Sequence, residues 1–83
     1  MNGVDLRPTF DRVKGVIIDQ LDVHDDDVKP SASLAEDLAV DSLDRIELTM
    51  GLEEEFGVEI TDDEGSACNT VGDIVTLIDG KAK

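Results

Sequence analysis

Tryptophan and tyrosine are absent from this 83-residue chain, and Phe10 and Phe56 are its only aromatic residues. A hydrophobic core must therefore be assembled from Val, Ile and Leu, which are plentiful. The single cysteine, Cys68, excludes an internal disulfide, and the single histidine, His24, leaves no Cys/His cluster for a structural metal. No metal site is expected, and neither residue has a neighbour in sequence that would activate a nucleophile. No stretch approaches the ~20 apolar residues that cross a bilayer. Residues 1–8 lack the apolar run of a signal peptide. A cytoplasmic protein without membrane insertion is expected, and an organelle protein stripped of its transit peptide would read the same. Cations are scarce as well, 7 Lys and Arg against 21 Asp and Glu, for a net charge of −14. Such a surface repels nucleic acid and anionic lipid and attracts basic partners. The length allows one domain, 1–83, near the lower limit for folding without staples, with 1–8 expected to be loosely ordered.

The apolar residues that are present recur at helical spacing. Phe10, Val13, Ile17 and Leu21, widened by Val16 and Ile18, predict a first helix from about Thr9 to Leu21 or Asp22. Asp25, Asp26 and Asp27 follow, without the spaced oxygen ligands, glycine and closing glutamate of a calcium loop, and read as a solvated charge run. Ser33 and Glu36 fit a capping box that opens a short helical turn over 34–38, with Leu34 and Leu38 turned inward to pin a long loop. Val58 and Ile60 alternate around Glu59 as a possible strand, too short to find a sheet partner. Thr61 and Glu64 form a second capping box opening a short helix to about Cys68. Val71, Ile74, Val75 and Ile78 define the last helix, with Gly80 as its expected stop. The fold class is all-α: a small four-helix bundle of three principal helices plus one short helix, with a long loop between the first two.

The chain is organised around Asp41-Ser42-Leu43 and the helix running from there to about Phe56. Asp41-Ser42 ahead of apolar residues at helical spacing is an N-cap signal, and Gly57 is the matching stop. This helix carries two apolar stripes. Leu48, Leu52 and Phe56 form one; Leu43, Ile46 and Met50 form the other, with Glu47 and Glu54 beside it. An apolar strip edged by carboxylates suits docking to a partner with a basic rim around an apolar pocket. A helix buried on both sides is the other reading, and the helical wheel does not choose between them. An arbitrary Asp-Ser-Leu usually does no more than cap a helix. The functional reading is that Ser42 presents its hydroxyl at the positive end of a helix dipole, where a phosphodiester is favoured, and the tripeptide alone does not settle this. Phosphate loops, zinc spacings and a catalytic constellation are all missing, so a carrier or interaction protein is expected, not an enzyme.

From Leu38 to Leu48, and again in Leu52-Glu53-Glu54-Glu55-Phe56-Gly57-Val58-Glu59-Ile60, the sequence resembles an acyl carrier protein of the free-standing kind. The similarity runs from about Phe10 to Ile78, and Met1 at the start suits a free-standing chain. The resemblance implies that Ser42, next to Asp41, bears 4′-phosphopantetheine transferred from coenzyme A by a phosphopantetheinyl transferase. The arm's thiol would then hold acyl groups as thioesters. It further implies that Asp41, Leu43, Asp44, Ile46, Glu47, Met50, Glu53 and Glu54 meet basic-surfaced partners such as a ketosynthase, an acyltransferase or a reductase. The bundle would open to shelter the acyl chain, with Leu48, Leu52, Ile60, Cys68 and Ile74 as lining candidates. The carrier would act as a monomer in fatty-acid or related lipid biosynthesis.

Departures from the family pattern fall near these residues. The family usually has glycine where Ala39 stands and often alanine or leucine at Val40, so the approach to Ser42 is expected to be stiffer. Gly51 replaces a common alanine and is expected to loosen the helix or open space beside the pocket. A carrier dedicated to one pathway, or one loading polyketide, aminoacyl or peptidyl groups, is an alternative to the general fatty-acid carrier. An acidic helical interaction module without a prosthetic group is the reading from another class.

Overall fold

The computed structural model describes residues 7–82. Its helices are α1 (Arg7–Leu21), α2 (Ser42–Phe56), α3 (Asp62–Ala67) and α4 (Val71–Ala82), with a single 3-10 turn at Asp25–Asp27. Residues 1–6 of the segment expected to be loosely ordered lie outside the described residues. Arg7 and Pro8 are already helical, so α1 starts before the expected Thr9. Proline early in a helix removes no intrahelical bond, because the first N–H groups have no partner there.

The α1 stripe is realised: Val13 and Ile17 are completely buried, with Phe10, Val16, Ile18 and Leu21 packed around them. The helix ends as Asp22 turns left-handed (φ 56) and donates its N–H to Ile18 O at 3.0 Å. α1 runs antiparallel to α2. Arg12 Nε meets Glu55 Oε2 at 2.9 Å, Arg12 Nη2 donates to the Glu55 carbonyl at 2.7 Å, and the guanidinium stacks 4.4 Å over the Phe56 ring. One turn further along, Gly51 faces α1: a Cβ there would lie 3.1 Å from Val16 Cγ1 and 3.3 Å from Gln20 Nε2. Gly51 therefore allows close approach of α1 and α2, and does not widen the interior beside the expected pocket.

α4 packs on α1 in the same antiparallel sense, with Thr9 Oγ1 donating to Asp79 Oδ1 at 2.8 Å. Val71, Ile74 and Ile78 are buried as their spacing predicts. Gly80 does not end this helix, which continues to Ala82. Its position is solvent-exposed with no atom within 4 Å of where a Cβ would sit, and a helix tolerates such a glycine at modest cost.

The long loop is laid against the start of α4. Leu34 N–H donates to Asn69 O at 2.9 Å, Val71 N–H to Ala32 O at 3.1 Å and Gly72 N–H to Pro30 O at 2.9 Å. Leu34 and Leu38 turn inward as expected, and Val28, Ala32 and Val40 join them in the core. Ser33 Oγ accepts the Glu36 N–H at 3.2 Å. The reciprocal acceptor for Ser33 N–H is Asp37 Oδ2 at 2.7 Å and not Glu36, one residue beyond the usual box. Residues Val58–Ile60 form no strand; Ile60 is buried while Glu59 is exposed, so the alternation reflects burial alone.

Candidate functional site

Asp41 adopts extended backbone geometry and caps α2. Its Oδ1 accepts the Asp44 N–H at 2.8 Å, and Asp44 Oδ2 accepts the Asp41 N–H at 3.3 Å. This reciprocal cap fixes where the helix begins and makes Ser42, which is exposed, its first residue. The chain reaches the cap through Leu38 and Val40, both buried, with exposed Ala39 between them at φ 54. At the far end Gly57 (φ 65) closes the helix, its N–H on Glu53 O at 2.8 Å.

Of the two stripes of α2, only one is covered. Leu48 and Leu52 are buried, whereas Leu43, Ile46 and Met50 are 63, 57 and 56% exposed. The choice left open by the helical wheel is thereby made: the second stripe faces solvent. Glu47 and Glu54 are exposed beside it. Asp44 and Glu53 are half-buried and already engaged, Asp44 in the cap and Glu53 through Oε2, which accepts the Ile60 N–H at 2.8 Å. Glu53 thus holds the segment between α2 and α3.

A groove of about 350 Å³ begins at Ser42 and runs past Ile46, Thr49 and Met50 to Ile60, Asp62 and Ser66. Behind it lies an interior void of about 20 Å³, around which all five lining candidates, Leu48, Leu52, Ile60, Cys68 and Ile74, come together with Leu34 and Leu77. Sequence reasoning missed Arg45, which stands between groove and void. Its Nη1 donates to Gly65 O at 2.7 Å and to Cys68 O at 3.0 Å, serving the last carbonyls of α3.

The family model described as a phosphopantetheine attachment site matches residues 11–78. The chain is 52% identical over 72 residues to an acyl carrier protein of Thermosynechococcus vestitus, which covers 87% of this chain and 89% of that one. The chain belongs to the acyl carrier proteins. It is likewise 50% identical over 70 residues to an acyl carrier protein of a Sulfurovum species, covering 84% of this chain and 93% of that one. As an acyl carrier protein it is a carrier and not an enzyme, with covalently attached 4′-phosphopantetheine as its prosthetic group. When bound, that group supplies the thiol on which acyl groups are held as thioesters.

The start of α2 suits such a group. An exposed hydroxyl stands beside the N–H groups of the first helical turn, whose partial positive charge favours a phosphodiester. Cys68 does not compete for the acyl carrier protein's chemistry. Burial pushes its thiol up from the usual range, nearby Asp73 adds to this, and Arg45 opposes it. Its Sγ donates to Glu64 O at 3.5 Å, so Cys68 packs as a small core residue. No helix among the described residues is long and apolar enough to cross a membrane.

Proposed function

We propose that Ser42 carries the phosphopantetheine arm and that the protein delivers acyl intermediates of fatty-acid or related lipid biosynthesis, as one carrier domain and a monomer in the cytoplasm. The observation that carries this reading is the juxtaposition of the exposed Ser42 hydroxyl with the uncovered stripe of Leu43, Ile46 and Met50. A partner that seats those side chains in an apolar depression brings its own catalytic groups to the arm. Glu47 and Glu54 meet its basic rim and set orientation and encounter rate. Asp41, Asp44 and Glu53 serve the same face by holding the helix start and the α2–α3 segment in place. The transferase that installs the arm and the ketosynthase, acyltransferase and reductase that use it would share this surface in turn.

The interior void admits at most one water by size, so no acyl chain occupies it as it stands. Leu48, Leu52, Ile60, Cys68 and Ile74 become its lining once α3 moves outward. The load on the arm tests the pathway: protein isolated from its own host is cleaved at the thioester and the released acids are identified. Fatty-acyl or hydroxyacyl groups are expected. An aminoacyl or peptidyl load, or a load confined to polyketide chains, would replace the fatty-acid assignment.

A further inference from the structure

α3 is held less by its own packing than by what reaches it from other helices. None of its residues Asp62–Ala67 is buried, so its apolar docking comes from Ile60 and Cys68 at its two flanks. The remaining ties are polar. Arg45 of α2 donates through Nη1 to the carbonyls of Gly65 and Cys68 at 2.7 and 3.0 Å, and Lys81 of α4 pairs with Glu64 at 2.9 Å. Arg45, Thr49, Ile60 and Gly65 belong both to the wall of the groove starting at Ser42 and to the wall of the small apolar void behind it. The partition between the two spaces is therefore the strip of α2 and α3 that the guanidinium ties together. The two helices lie close there, since a Cβ at Gly65 would come 3.4 Å from Thr49 Oγ1.

We propose that Arg45 is a specificity-determining latch that sorts acyl chains by length at this partition. The proposal rests on Ser42 bearing the arm. A short acyl group remains in the groove of about 350 Å³ and leaves the latch closed. A long apolar chain gains with every methylene it removes from water. It can do so inside only if α3 swings outward and the guanidinium gives up two backbone acceptors. The interior, at about 20 Å³, provides no space without that movement. Short thioesters thus stay open to solvent and enzymes, and only chains whose burial offsets the broken latch become sheltered.

The test compares the wild type with Arg45→Met and Arg45→Lys, each loaded with butanoyl, octanoyl and dodecanoyl arms from the corresponding coenzyme A thioesters. Thioester cleavage by hydroxylamine reads shelter, and amide deuterium exchange across 62–68 in the protein without its arm reads the latch alone. Loss of charge-assisted hydrogen bonds should raise that exchange about tenfold in Arg45→Met. The chain length at which cleavage slows should fall in the same variant, with Arg45→Lys between it and the wild type. Either an unchanged exchange or an unchanged chain-length profile in Arg45→Met overturns the proposal. Should that variant not fold, Arg45→Lys is held to the same two criteria. Absence of an arm on the wild type by mass would instead overturn the assignment of Ser42, and the exchange measurement, which needs no arm, separates the two failures.

Discussion

Replacing Ala39 with glycine is expected to stabilise the protein. Ala39 has φ 54, in the left-handed region where a Cβ crowds the backbone at a cost of about 1–2 kcal/mol. Buried Leu38 and Val40 flank it, and Val40 N–H is tied to Leu34 O at 2.8 Å, so the backbone has no freedom to relax. The Ala39 methyl is exposed and its removal sacrifices little packing. Glycine returns part of the gain, roughly 0.5–1 kcal/mol, because its unfolded chain has more freedom to lose. The balance is a gain of about 0.5–1 kcal/mol, or a rise in Tm of about 2–8 °C for a domain of this size. Thermal and urea unfolding of both proteins at fixed salt and pH measure it, with the urea m-value expected to stay constant. An unchanged or lower Tm at constant m would refute the reasoning, since it would mean that the chain before Asp41 does not store this strain.

Gly15→Ala should add about 1 kcal/mol of stability by helix propensity, because nothing lies within 4 Å of the new methyl. Gly51→Ala, whose methyl meets Val16 and Gln20, should gain less or lose, and equal Tm gains would contradict the close approach of α1 and α2. Asp73 accepts the N–H groups of Asn69 and Thr70, which hold its carboxyl below the usual range. A carboxylate lowered in the folded state contributes stability above its unfolded value that is lost as pH falls through the folded one. Asp73→Asn should therefore lower Tm at neutral pH, by a difference that narrows as pH falls below the ordinary aspartate range; a pH-independent difference would contradict the cause given. Glu47→Lys should slow arm attachment by about fivefold at low salt and less at high salt. Asp11→Lys, on the end of α1 that lies by the α2 C-terminus, should change it less than about twofold. Equal effects would mean that only bulk charge matters.

What could be read from the sequence was local in origin. Asp41 and Gly57 bound α2 because a cap and a left-handed stop are written in single residues, and Thr61 with Glu64 opens α3 for the same reason. Both stripes of α2 were visible as periodicity, but which one is covered depends on where other elements come to lie. The loop hid Val28, Ala32 and Val40 from view because an aperiodic segment carries no repeat to mark its inward side. Gly80 misled as a helix stop: α4 has its last cation, Lys81, paired with Glu64 beyond it. Arg45 stayed hidden because its partners are backbone carbonyls, which leave no complementary side chain to find. The five lining candidates came from family resemblance, and the fold gathers all of them around one void.

The carrier role turns on the Ser42 hydroxyl, and intact-protein mass is its most direct test. The wild type, Ser42→Ala and Ser66→Ala, the last an exposed serine on the same groove, are incubated with coenzyme A and a promiscuous phosphopantetheinyl transferase. The wild type and Ser66→Ala should each gain the mass of one arm while Ser42→Ala gains none. An arm on Ser42→Ala, or a folded wild type that never acquires one, would contradict it.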